Sequence, residues 1–110
     1  MLGLRLYMLQ RLSALVMAPL VLGHIAVMIY AVQGGLSASE ILSRTQGSVA
    51  WAFFYGLFVV AVSIHAAIGL RVVIHESIGL KGRALDVLTG AIGLSLFALG
   101  INAVYAVTAS

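Results

Sequence analysis

Ser63-Ile64-His65-Ala66-Ala67-Ile68-Gly69-Leu70-Arg71-Val72-Val73-Ile74-His75-Glu76 begins inside an apolar run and ends among polar residues. An apolar helix that finishes in charge is the mark of a membrane span meeting water. At about 100° per residue, His65, Gly69 and Glu76 fall near one helical face. An imidazole set this deep among Ile, Ala and Leu needs a partner, and a glycine one turn on leaves flat space beside it. A porphyrin meets both needs, because its iron takes the imidazole nitrogen and its ring needs close backbone approach. A histidine bonded to a neighbouring helix, with a small residue at a packing contact, meets them too and is the plainer reading of the stretch alone. The stretch alone leaves both readings open.

The surrounding composition fits a span. Of 110 residues, 63% are hydrophobic and only 8% are charged, where a soluble domain carries roughly a quarter charged. At ~20 residues per crossing there is room for three spans and almost nothing else, so no soluble catalytic domain is accommodated. Cysteine is absent, which excludes disulfides, thiolate metal sites and cysteine nucleophiles. The net charge of +3 comes from basic residues scattered at span ends, a pattern of membrane orientation and not of nucleic-acid binding.

Outward from the quoted stretch, the second span covers about 49–73, with Trp51 and Tyr55 at its start, where amphipathic rings favour the headgroup level. Before it, Leu12–Val32 runs for 21 residues without a charge, longer than the apolar region of a secretory signal. Met1 to Gln10 is a mostly apolar lead-in, with Tyr7 and Arg11 one turn apart. Pro19 frees the Leu15 carbonyl and predicts a modest kink. His24 lies just past the middle of this first span. Gly34 and Gly35 end it, and Ser37-Ala38-Ser39-Glu40 has the form of a capping box opening a short interfacial helical turn. After the second span, His75 to Asp86 reads as a polar connector with Gly79 and Gly82 as breakers. Val87–Val107 makes the third span, its glycines suited to close helix packing. The expected fold is thus an all-α membrane protein of three transmembrane helices, spans 12–32, 49–73 and 87–107, forming a single anchor domain. There is no internal repeat, phosphate-binding loop or nucleophile–base constellation.

Basic residues orient the chain. Arg5, Arg11, Arg71, Lys81 and Arg83 fall on one side and only Arg44 on the other, which places the N-terminus in the cytoplasm. Depth then separates the histidines. His65 lies about six residues, or ~9 Å, from Arg71 at the cytoplasmic end, whereas His24 lies about thirteen residues, or ~20 Å, beyond Arg11. Two axial ligands of one iron sit at similar depth, so His24 and His65 of one chain are poor partners for the same metal.

These residues carry a resemblance. His65-x-x-x-Gly69-x-Arg71, followed by Glu76, resembles the second-helix motif H-x3-G-x-R-x4-D of succinate dehydrogenase cytochrome b subunits. Ile64-His65-Ala66-Ala67-Ile68-Gly69 is similar to the IHAxIG form of the sister anchor. Tyr7-Met8-Leu9-Gln10-Arg11-Leu12-Ser13-Ala14 resembles the first-helix S-x-x-H-R-x-S-G, with Tyr7, Gln10 and Ala14 as departures and Glu76 in place of the usual aspartate. His24, followed by Ile29-Tyr30-Ala31, resembles the first-helix haem histidine of the two-haem versions.

The resemblance implies a membrane anchor and electron-transfer subunit of a succinate dehydrogenase or fumarate reductase in the bacterial cytoplasmic membrane. It holds a flavoprotein and an iron–sulfur subunit, which pass electrons from succinate to quinone. It implies haem b on His65, with Gly69 beside the ring, and on His24. It also implies a quinone site drawn from Arg11, Ser13, Tyr7, Arg71 and Glu76. A second anchor is implied as well, most simply a second copy of this chain facing His65 with His65 and His24 with His24. Two further readings compete. One is a haem-free anchor. The other is a small proton or ion transporter, which calls for a membrane-embedded acid, whereas Glu40, Glu76 and Asp86 all fall at span ends.

Overall fold

Long uncharged runs settle as helices because every backbone polar group in lipid must be satisfied within its own segment. The computed structural model describes residues 2–109, and Met1 and Ser110, the ends of the lead-in and of the tail, lie outside them. Among the described residues there are four helices and no strand: α1 (Leu2–Gly34), α2 (Ala38–Thr45), α3 (Val49–Ile78) and α4 (Gly82–Thr108). α1, α3 and α4 have 33, 30 and 27 residues, about 40–50 Å each at 1.5 Å per residue. The molecule's long dimension is 47 Å, enough to cross a bilayer with its headgroups. The chain is a multi-pass membrane protein.

Each long helix exceeds its expected apolar span. The lead-in carrying Arg5, Tyr7 and Arg11 continues α1, and His75–Ile78 and Gly82–Asp86 extend α3 and α4, so the connector shrinks to Gly79–Lys81. Polar side chains at a headgroup surface do not interrupt intrahelical bonds, and only the backbone can stop the helix. Gly79 does so at φ +81°, the left-handed cap of α3, its N–H bonded to the His75 carbonyl at 2.9 Å. α1 runs without a break through Pro19.

α3 is the spine. It packs most extensively against α4 and next against α1, while α1 and α4 barely meet. The interior is small and hydroxylic, with Ala61, Ser63, Ile68, Leu85, Thr89 and Ser13 buried. Large side chains such as Leu15, Leu22, Phe53, Leu94 and Leu99 face outward. Lipid is as apolar as leucine, so the close approach of backbones decides which face turns inward. Gly93 lies against Ala67, and Gly100 against Val59, with no room for a β-carbon at Gly100 unless Val59 moves.

α2 folds back under the loop end. Ser37 accepts from the Glu40 amide at 3.2 Å and donates to the Glu40 carboxylate at 2.6 Å. The expected cap is there, with the Glu40 side chain meeting the serine hydroxyl. That carboxylate fills the place a side chain at Gly35 would need, and Gly35 itself has φ +119°. Arg44 Nη2 donates to the Gly35 carbonyl at 2.5 Å, Thr45 Oγ1 to the Val107 carbonyl at 2.6 Å, and the Gly47 amide to the Thr108 carbonyl at 2.7 Å. α2 thereby ties the end of α1 to the end of α4 and satisfies terminal carbonyls that lipid could not.

Candidate functional site

At the Arg11–Arg71 end, α1 and α3 meet through polar side chains. Ser13 is buried, and its Oγ lies 3.0 Å from the Gln10 carbonyl and 3.3 Å from His65 Nδ1. With the serine proton on the Gln10 carbonyl, the serine oxygen accepts from Nδ1–H. That tautomer leaves Nε2 of His65 with its lone pair free, as a metal ligand requires. Ser13, which the resemblance assigns to the quinone site, makes both of these contacts inside the chain. The flat space at Gly69 is partly covered: a β-carbon there would meet Gln10 Nε2 at 3.5 Å. The Oε1 of the same amide is buried with no hydrogen-bond partner among the described residues.

One turn from this contact, Arg11 donates to the Tyr7 hydroxyl at 3.2 Å and lies 5.6 Å from the centre of its ring. Both side chains are exposed on α1. Across α3, Arg71 is paired with Asp86 of α4. The Asp86 side chain is 53% exposed, so the pair adds little stability; it fixes where the guanidinium stands. Glu76 is exposed in the closing turns of α3, and His75 Nδ1 donates to the Leu80 carbonyl at 2.9 Å. The structure therefore brings Ser13, His65 and Gly69 together, sets Tyr7 with Arg11 on a flank of α1, and leaves Arg71 and Glu76 further along α3.

His24 stands elsewhere. Eleven residues beyond Ser13 on the same helix, it is about 16 Å further through the membrane. Its ring meets Phe58 edge-on at 5.1 Å and Tyr55 at 6.3 Å, and neither ring nitrogen has a hydrogen bond among the described residues. Two cavities flank it. One of about 610 Å³ is lined by Met28, Tyr30, Arg44, Trp51 and Tyr55; one of about 340 Å³ is lined by Phe58, Val59, Gly100 and Val104. His24, Ile41, Thr45 and Tyr55 border both. The two histidines thus occupy different depths, and His24 packs against its own chain's α3.

Three features escaped sequence reasoning. Asp86 flanks the Gly79–Gly82 turn opposite Arg71, and pairing the charges on either side of that turn would have found it. Gln10 registered only as a departure from a motif. Arg44 and Tyr30 required knowing that α2 folds back.

The family model for the succinate dehydrogenase/fumarate reductase transmembrane subunit matches residues 1–108. The chain belongs to this family. No curated protein and no solved structure matches the chain. Membership implies association with the flavoprotein and iron–sulfur subunits of such a complex at the membrane.

Proposed function

We propose that the chain anchors a succinate:quinone oxidoreductase, with its N-terminus and the Arg11–Arg71 end in the cytoplasm of a bacterium. In this reading it holds haem b through His65 and His24 and contributes to the quinone site. The observation that carries the reading is the Ser13–His65 contact, which supports an imidazole tautomer with Nε2 free for iron. His24 fits the same role, being an unbonded imidazole beside open apolar volume. Haem b supplies a one-electron store between the clusters of the iron–sulfur subunit and the quinone.

The chain's own groups bind and orient. Arg11 and Tyr7 present donors on the exposed flank of α1, at the depth where the iron–sulfur subunit docks in this reading. Arg71, held by Asp86, places a second positive charge near that end, where it favours the developing negative charge on a quinone oxygen. Glu76 offers an exposed carboxylate able to hand on a proton from water. A second anchor, another copy of this chain or a related one, completes the enclosure that three long helices cannot give alone.

The haem-free reading has one observation of its own, the Gln10 amide over Gly69. The visible spectrum of the purified complex separates the two. A low-spin haem b signal that falls by about half in His65→Ala is expected. A colourless complex that still reduces quinone overturns the haem assignment.

A further inference from the structure

A groove runs between α3 and α4 from the Arg71 end. It begins as a cavity of about 280 Å³, with Leu6, Ile68, Thr89 and Gly90 beside the Arg71–Asp86 ion pair. It shares Ala67, Thr89 and Gly90 with a second hollow of about 390 Å³, walled by Val60, Ile64, Gly93, Leu94 and Phe97. Val60, Leu94 and Phe97 are exposed along it, so it opens to lipid. Apart from Ser63 and Thr89 the second hollow is apolar, and Thr89 spends its proton on the Leu85 carbonyl at 2.8 Å. Asp86 and Phe97 stand eleven residues apart on α4, about 16 Å of helix, or half of a ~30 Å hydrocarbon core. Gly90 forms part of the floor. A β-carbon there meets nothing within 4 Å among the described residues, whereas Gly93 and Gly100 each lie against a residue of α3. A glycine inside a helix costs stability against alanine, and at Gly90 no contact within the chain offsets that cost.

We propose that this groove holds one phospholipid with an ethanolamine head, its phosphate on Arg71, its ammonium on Asp86 and an acyl chain along Gly90 and Gly93. Charge decides the class. Arg71 and Asp86 present a cation and an anion side by side at a headgroup surface, and a head carrying phosphate and primary ammonium complements both. An anionic lipid sets an uncompensated charge beside Asp86, and a choline head brings no N–H to the carboxylate. A quinone brings no charge to either group. Length agrees, because the groove ends near the middle of the bilayer, where an acyl chain ends. The Arg71 and Asp86 side chains are 21% and 53% exposed, so both are reached from the headgroup layer. A guanidinium has five N–H donors, enough for Asp86, a phosphate oxygen and a quinone in addition. The inference needs the pair at a headgroup surface and stands apart from haem and from the quinone assignments above.

The test places the assembled complex in phosphatidylcholine nanodiscs doped with phosphatidylethanolamine or phosphatidylglycerol. Native mass spectrometry then counts the lipids that stay bound on release. Wild type retains phosphatidylethanolamine at least about tenfold over either other lipid, and its thermal midpoint rises with the ethanolamine content, as binding to the native state must make it. Asp86→Asn removes the anion, and the preference over phosphatidylcholine disappears. Gly90→Leu fills the floor, leaves both charges and loses the retained lipid. Leu99→Ala, at an exposed position outside the groove, keeps the wild-type pattern. A wild type with no preference among the three lipids overturns the proposal, as does Asp86→Asn with its preference unchanged. Where Gly90→Leu does not assemble, the Asp86→Asn comparison decides alone. Quinone that is retained by wild type and lost from Gly90→Leu, with phospholipid content unchanged, assigns the groove to quinone and also overturns the proposal.

Discussion

Ser13 Oγ and His65 Nδ1 lie 3.3 Å apart although 52 residues separate them in sequence. The contact joins α1 to α3 and holds the Nδ1 side of the imidazole. Ser13→Ala is therefore expected to keep the fold, at a cost of about 1 kcal/mol for a lost hydrogen bond. It should also weaken haem retention by roughly 10–100-fold, as loss of a ligand's supporting group does. The readout is the haem-to-protein ratio after dialysis against apomyoglobin, and retention equal to wild type would remove Ser13 from this role.

Arg11 and Arg71 are expected to matter to quinone before they matter to assembly. Changing either to Leu should lower quinone reduction by about tenfold, some 1.4 kcal/mol of lost stabilisation. Succinate oxidation by a soluble dye should stay near wild type. Asp86→Asn, which releases Arg71 without removing its charge, should raise the KM for quinone with less effect on kcat. Parallel loss of both activities in all three variants would mean faulty assembly.

The spans themselves were legible because an uncharged run of twenty residues has few other fates. Their ends were not, since Tyr7, Arg11 and Asp86 sit at a headgroup surface where helix and loop are equally solvated, and sequence polarity marks the water and not the last hydrogen bond. Depth counting set His65 near the Arg71 end and His24 well beyond Arg11, and said nothing of Ser13. It could not pair Ser13 with His65, because the register between two helices depends on which small residues let the backbones close. Arg44 was read correctly as lying on the far side, but its stacking on Tyr30 follows from the return of α2, which a motif of four residues predicts only as a helical start.

Glycines on α4 should divide by what they face. Gly100 is pressed on Val59, a β-branched side chain with little freedom, so Gly100→Ala should destabilise by about 1–3 kcal/mol. Gly90 has nothing within 4 Å of a β-carbon, so in the isolated chain Gly90→Ala should be neutral or stabilise by up to about 1 kcal/mol. Unfolding in mixed detergent micelles measures both, and equal effects at the two positions would contradict the packing of α4 on α3.

Haem counting addresses the second anchor. Two haems per two copies of this chain, with no other small membrane subunit present, is the outcome expected for a symmetric pair about an axis along the membrane normal. A single copy beside a different anchor protein would refute that pairing. A single haem lost in His65→Ala would withdraw His24 from iron.

The His65 site joins α1 to α3, His24 stands on α1, and α4 contributes no histidine. A ribosome that has just finished Ile78 has already made both imidazoles, Ser13 and the α3 surface on which α1 docks. The short turn at Gly79–Lys81 then lets α4 enter as the return arm of a hairpin, with Asp86 arriving to meet an Arg71 that is already in place. During synthesis the histidines are thus all in hand before the last helix is translated, and α4 arrives as a brace for a helix pair already made.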